Sequence, residues 1–554
     1  MQDAAAQPPQ PARAMHGGHL IAQTLKADGV RNLFTLSGGH IAPIYDGCVR
    51  EGIRVVDFRH EQAAAHAADG WARVTLQPGI AAVTAGPGLT DAVTGIANAM
   101  YANSPMLVLS GKNPIVEFEM GSLQEMDQVT LVSSITKWAK TCYDPRKLGE
   151  FVATALRQAT TGRGGPVFLD IPLDVQFNAP GDAQPPVMAR TRARPLGDPD
   201  LVKDAVRLLQ DAVRPIVFAG AGVRWSNAHD QLLGLAHAMK APVFLNSLGR
   251  GCLPADDPYF FSGARRHALG SADVILALGV DWDFRLGFGT KGFAPDVKVI
   301  QVDVDGAHIG RNRPVDVGIV GDPGMVLRQL LDAGAGNATE PDWTGEVRVE
   351  ERRKAADAEA GMASDAVPIH PQRFAKEIRD YLDRDAIVVG DGGDIVGITA
   401  SIVQAYQPGH WLDPGPFGCL GVGPSFAIAA KLAKPDKQVL IVYGDGSFGF
   451  NAMEYESALR QDIPFVGIIG NDGAWGQIKV AQEALYGEGN APAANLNPEA
   501  PYHRMVEGLG GYGEMVTEPS QIRPALERAF ASGVAACINV QVDPTLMRRS
   551  SYLG

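Results

Sequence analysis

Only five cysteines occur in 554 residues (Cys48, Cys142, Cys252, Cys419 and Cys537), and none has metal-ligand spacing. So sparse and odd a set argues against a disulfide framework and fits a reducing cytoplasm. Basic residues are also short: the formal net charge is -13. That balance excludes a nucleic-acid partner, because phosphate backbones select basic surfaces. No apolar run approaches the length of a membrane span, so no membrane partner is expected. Residues 1–14 are rich in Ala, Pro and Gln and lack the apolar centre of a signal peptide, so they read as a disordered tail. What remains is 45% apolar and 20% charged, the balance of a soluble globular protein. The length exceeds one core and suggests three domains.

From Gly17 to about Leu173 helix and strand patterns alternate, with strands expected over 32–36, 53–58, 80–83 and 106–109. The middle section repeats the rhythm with strands over 216–219, 243–245, 274–278 and 297–304. The last section does so again, from 387–389 through 439–443 to 465–469. Such alternation predicts an α/β fold of three open parallel-sheet domains. The expected boundaries are 15–182, 199–334 and 366–546. The Pro-rich stretch 180–195 is a linker, 347–360 a charged helical connector, and 547–554 a basic C-terminal tail.

The most informative stretch runs from Gly444 to Gly473. Gly444-Asp445-Gly446-Ser447 follows one apolar strand as a turn, a helix is expected over 453–459, and Asn471-Asp472-Gly473 ends the next strand. In such a βαβ unit both loops lie at the carboxyl ends of neighbouring strands, where open sheets bind ligands. The glycines let the backbone approach phosphates. Asp445, Asn471 and a carbonyl near Gly473 are hard oxygen donors that suit Mg²⁺. Further glycine turns follow strands at Gly86 and at Gly392-Gly393. Glu61 opens an Ala-rich helix after Arg59-His60, and Ser37-Gly38-Gly39-His40 follows the first strand.

Taken together these segments resemble the thiamine diphosphate (ThDP) enzymes. The resemblance implies Asp445 and Asn471 as metal ligands through their side chains and Gly473 through its carbonyl. Gly86, Gly392, Gly393, Gly446 and Ser447 would then hold the cofactor. Gly470 departs from the family, which commonly has Asn there. His60-Glu61-Gln62-Ala63-Ala64 looks like the pyrimidine-binding motif, in which Glu61 hydrogen-bonds the aminopyrimidine and promotes the imino tautomer that removes the thiazolium proton. Gly121-Ser122-Leu123-Gln124-Glu125 resembles the family's glutamine loop, with Gln124 beside the thiazolium. Gly418-Cys419-Leu420-Gly421 matches the loop under the cofactor, Gly418 accepting from the aminopyrimidine and Leu420 wedged between the rings. His40 is a candidate for a substrate role, a core or solvated histidine being the other reading.

The run from Gly263 to Gly289 is similar to the 2-hydroxyacyl-CoA lyase and oxalyl-CoA decarboxylase branch, within the acetolactate-synthase-like superfamily. There the arginine matching Arg265 holds phosphates of CoA or ADP. The branch usually has an arginine near Asp281, in a Gly-Ala-Arg sequence that this chain lacks. FAD or no ligand in the central domain stay open. Tyr486 and Glu488, beyond the metal motif, and Arg548 in the basic tail are further substrate candidates. The resemblance implies a ThDP- and Mg²⁺-dependent lyase cleaving a 2-hydroxyacyl-CoA to a ketone or aldehyde and formyl-CoA. An acetolactate-synthase-like carboligase or a 2-oxoacid or oxalyl-CoA decarboxylase is the alternative. It also implies a homodimer or homotetramer, with each site shared between chains.

Overall fold

The computed structural model describes residues 14–187, 193–336 and 339–546. Arg548, with the rest of the basic tail, lies outside them. Among these residues are three six-stranded sheets, every named pair of strands parallel. The first holds β1 (Asn32–Thr35), β2 (Arg54–Asp57), β3 (Gly79–Val83), β4 (Met106–Lys112), β5 (Ala139–Thr141) and β6 (Pro166–Pro172), in the order β2-β1-β3-β4-β6-β5. The second holds β7 (Pro215–Ala219), β8 (Val243–Leu245), β9 (Phe260–Phe261), β10 (Val274–Leu278), β11 (Lys298–Asp303) and β12 (Val317–Val320), ordered β12-β11-β10-β7-β8-β9. The third holds β13 (Ile387–Asp391), β14 (Trp411–Leu412), β15 (Val439–Gly444), β16 (Val466–Asn471), β17 (Tyr512–Val516) and β18 (Ala536–Gln541), ordered β14-β13-β15-β16-β18-β17.

The first and third sheets therefore share one topology. In each, the chain reverses direction across the sheet between its first and third strands, and a crevice opens there at the strands' carboxyl ends. The loops after β1 and β3 carry His40 and Gly86; the loop after β13 carries Gly392-Gly393, and Asp445 directly follows β15. Central strands such as β15 are almost wholly buried, as a parallel sheet covered on both faces requires. Among the described residues no helix is long and apolar enough to cross a membrane.

The first and third domains share one apolar core. Ala63, Ala64 and Ala67 of the helix Glu61–Thr75 lie in it with Phe426 and Ala430 of the helix Gly423–Ala433. Small side chains allow the close approach: a Cβ on Gly70 would come within 2.8 Å of the Phe426 ring. One expectation is corrected. Gly444-Asp445-Gly446-Ser447 is not a free turn; a helix, Asp445–Asn451, starts directly after β15, and a second, Glu454–Arg460, follows. Two glycines in that first helix made a turn the natural reading, but tertiary packing overrides propensity here.

Candidate active site

In the first domain the glutamate, histidine and glutamine loops meet. Glu61 is the first residue of its helix and is buried, which pushes its carboxyl above the usual range. A Cβ on Gly88 would stand 3.3 Å from Glu61 Oε1, so the glycine turn runs close to the carboxylate. Thr84, at the end of β3, joins the other two: its hydroxyl lies 3.2 Å from His40 Nδ1 and donates to Gln124 Oε1 at 3.4 Å. His40 is buried rather than at a loop tip, and burial lowers its pKa, opposed by the Gln124 hydrogen bond. Gly86 has φ of +58°, and a Cβ there would meet the Gln124 carbonyl oxygen at 2.8 Å, so only glycine fits.

Two residues that sequence reasoning missed hold these loops. Buried Gln128 accepts from the Gly86 N–H at 2.9 Å, while its amide nitrogen donates to Gly111 O and to Asp170. Glu125 gathers the glutamine loop by accepting from the N–H groups of Glu119, Gly121 and Ser122 and from the Asn113 side chain. Both sit beside recognised motifs, but only their partners, distant in sequence, reveal what they do.

In the third domain a cavity of about 910 Å³ is lined by Gly392, Gly393, Gly418, Leu420, Asp445, Gly446 and Ser447. Arg265, Phe284 and Arg285 of the central domain also line it. Trp475 and Gln477, just past the Asn471-Asp472-Gly473 motif, also line it and were missed from the sequence. None of the described residues of the first domain borders this cavity. Gly392 has φ of +153°, and a Cβ there would meet Gly444 N at 2.8 Å, which keeps the two glycine turns in contact. Beneath them Asp391, fully buried, accepts from the N–H groups of Gly421 and Gly423 at 3.0 and 2.7 Å. Burial pushes its pKa up to about 7.

The donor set fits a hard cation. Asp445 Oδ1 accepts from the Gly446 N–H, while Oδ2 is buried and unpaired with the Asp472 carboxylate as neighbour. Burial, then the charge of Asp472, raises the Asp445 pKa to about 7, a position a bound cation would relieve. Asn471 donates its amide hydrogens to Pro498 O and Asn539 Oδ1, which turns Oδ1 the other way, where it accepts from the Gly473 N–H at 3.1 Å. Among the described residues no cluster of three or more His, Cys, Asp or Glu side chains could hold a metal alone. An ion here would need oxygens from elsewhere, as phosphate supplies.

Asn471 and Gly473 do not line the cavity themselves, although Gly470 beside them and Asp472 between them do. Tyr486 closes the helix Gly476–Tyr486, is 69% exposed and does not line the cavity; neither does Glu488. Asp281 accepts from both terminal nitrogens of Arg163 at 3.1 and 2.9 Å. Arg163 also pairs with Asp303, and His308 lies 3.0 Å from Asp281. These groups fill the ends of β10 and β11.

Three sequence families match in order along the chain. Residues 15–131 match the thiamine pyrophosphate enzyme N-terminal TPP binding domain, 202–330 the central domain, and 391–540 the C-terminal TPP binding domain. The chain belongs to the thiamine pyrophosphate (thiamine diphosphate) enzymes. Within that family it is 44% identical to a "Probable acetolactate synthase" of Mycobacterium bovis over 544 residues, 98% of each chain. It is 35% identical to "2-hydroxyacyl-CoA lyase 2" of Bos taurus over 553 residues, 92% of this chain and 86% of that one. A "Probable acetolactate synthase large subunit" of Methanocaldococcus jannaschii is 33% identical over 548 residues, 96% and 92% of the two chains.

Proposed function

We propose that the chain is a ThDP- and Mg²⁺-dependent carbon–carbon lyase that reversibly cleaves a 2-hydroxyacyl-CoA into a ketone or aldehyde and formyl-CoA. The cavity carries this reading: glycine turns and Asp445 line it together with Arg265, Phe284 and Arg285, the last held by Asp283. Guanidinium groups suit phosphate oxygens, and an aromatic ring suits an adenine. Asp445, Asn471 Oδ1 and the Gly473 carbonyl would hold the ion, and Gly392, Gly393, Gly446 and Ser447 the diphosphate. When bound, ThDP supplies a nucleophilic carbon and an electron sink. Glu61 would hold a proton against the aminopyrimidine, and Gln124 and His40 would border the reacting carbons. Gly418 and Leu420 would support the cofactor from below.

The CoA phosphates would meet Arg265 rather than the crevice of the central sheet. In that crevice Arg163 is paired with Asp281 and Asp303, and CoA, ADP, FAD or no ligand there remain the readings to test. Tyr486 and Glu488 would meet substrate only at the mouth. A second copy of the chain would complete each site. Exposed Val116, Phe118, Met120 and Leu123 flank Gln124, and exposed Phe450, Met453 and Ile478 lie by the diphosphate turns. Such apolar rims suit a buried interface. The free cysteines are in keeping with the cytoplasm.

A carboligase acting on 2-oxoacids is the second reading, favoured by the 44% identity to a relative named as an acetolactate synthase. Incubation with 2-hydroxyacyl-CoA esters and, separately, with 2-oxoacids decides between them. Release of formyl-CoA, with KM raised in Arg265→Ala, supports the lyase. Acetolactate or carbon dioxide from 2-oxoacids alone overturns it.

A further inference from the structure

Three helices begin at the candidate site: Glu61–Thr75 at Glu61, Pro87–Tyr101 at the Gly86 turn, and Asp394–Ile402 at Gly392-Gly393. Their far ends share a feature that no local motif announces. Each is met by a side chain of the central domain. Arg224 donates to the carbonyls of Arg73 and Val74, at 2.8 and 2.9 Å from Nη2, in the last turn of the Glu61 helix. The indole of Trp225 donates to the Ala102 carbonyl, which caps the helix from Gly86, at 3.0 Å. Arg250 donates to Ala400 O at 2.8 Å and Val403 O at 3.3 Å, at the end of the Asp394 helix, lies 4.0 Å over the Trp411 ring, and with Ala400 and Trp411 also borders the cavity.

The last carbonyls of a helix lack partners within it and carry partial negative charge, so a cation there answers both needs. Arg224 is buried, and burial lowers its pKa; Arg250 is half-buried, and burial pushes it down to about 10, opposed by Asp413. Both cations give up some water where they meet helix ends. They hang from adjacent strands, Arg224 on the helix Ala221–Trp225 after β7 and Arg250 past the turn Ser247–Gly249 after β8. One reaches the first domain and the other the third. Most of the buried face of the Glu61 helix is alanine, and its buried Asp69 and Arg73 pair with each other and are held by Asn98 and the Asp413 carbonyl, so Arg224 completes a fixing of this helix near its last turn.

We propose that the central domain is an axial clamp: Arg224, with Trp225, sets how far the Glu61 helix reaches into its half of the site, and Arg250 does the same for the Gly392-Gly393 turn. Both are positioning residues. The proposal rests on Glu61 acting on the aminopyrimidine and Gly392-Gly393 on the diphosphate.

Arg224→Met and Arg250→Met test it through two readouts, ThDP affinity by calorimetry in excess Mg²⁺ and hydrogen–deuterium exchange at the thiazolium carbon of bound cofactor. Arg224→Met slows exchange by about tenfold or more, since small misplacements of a catalytic group have large effects, and leaves affinity within about twofold. Arg250→Met does the reverse. Melting of the cofactor-free protein falls in both. If a methionine variant does not fold, Arg224→Lys and Arg250→Lys, which keep the cation and lose the planar fork, show the same split at smaller size. Equal losses in both, melting loss alone, or a raised substrate KM with unchanged cofactor affinity for Arg250 overturns the clamp. Glu61→Gln in the same assay separates the two ideas. Wild-type exchange there faults the role of Glu61, whereas loss there with wild-type exchange in Arg224→Met faults the clamp.

Discussion

Both carboxylate oxygens of Glu454 accept the main-chain N–H of Arg59, each at 3.1 Å. The acceptor belongs to the third domain, and the donor lies two residues before Glu61. Glu454 is buried and also accepts from the Ser457 hydroxyl at 2.6 Å. A buried carboxylate thus ties the segment after Asp445 to the start of the Glu61 helix.

Burial pushes the Glu454 pKa up to about 7. Between its ordinary value, near 4.3, and 7 the folded chain binds a proton that the unfolded chain lacks. The stability this contributes is present below about pH 4.3 and is lost as pH rises through 7. Glu454→Gln keeps an acceptor and cannot ionise. Its stability relative to wild type should rise between pH 5 and 8, by at most about 3 kcal/mol, read from denaturant midpoints. A relative fall over that range would mean that the carboxylate is ionised and favourable in the fold.

Glu61→Gln keeps the shape of the side chain and loses its proton chemistry. ThDP should still bind, while exchange at the thiazolium carbon falls by roughly 10²–10⁴-fold. Exchange at the wild-type rate removes Glu61 from the mechanism.

Asp445→Ala removes the one charged ligand of the proposed ion. Affinity for ThDP and for Mg²⁺ should drop together, by about tenfold or more, because the ion bridges protein and diphosphate. Titration calorimetry with each varied in turn reads this; cofactor affinity equal to wild type would sink the ligand set.

Mixing subunits tests whether two chains build each site. Glu61→Gln and Asp445→Ala should each be inactive, yet if each site of a symmetric dimer takes Glu61 from one chain and Asp445 from the other, every hybrid has one site with both residues intact. Equal mixing should restore about a quarter of wild-type activity if the sites are independent. Subunits that demonstrably exchange without recovery would confine the site to one chain.

Much of this architecture was legible because it is local. Gly444-Asp445-Gly446-Ser447 and Asn471-Asp472-Gly473 lie at the ends of long apolar strands, and β15 pairs β16 in register from Leu440 with Val466 to Gly444 with Gly470. The edge strand Ala139–Thr141 was not, since three residues without an apolar run carry no periodic signal. Likewise Thr84 shows no motif, and its place between His40 and Gln124 depends on loops 40 or more residues apart. Arg163 is bound to Asp281 and Asp303 across more than a hundred residues. Pattern reading finds what neighbours in sequence do together; contacts closed by the whole fold stay invisible to it.

The core shared by the first and third domains sets a timetable for synthesis. The alanine face of the Glu61 helix packs against residues of Gly423–Ala433. At about 5–20 residues per second, on the order of half a minute separates the emergence of Thr75 from that of Gly423. Throughout that interval the nascent first domain bears an apolar flank whose cover has not been made. The central domain emerges in between, already able to offer Arg224 and Trp225 to the ends of two of its helices. The interposed domain thus comes to the ribosome's exit in time to brace a half-built enzyme before its other half exists.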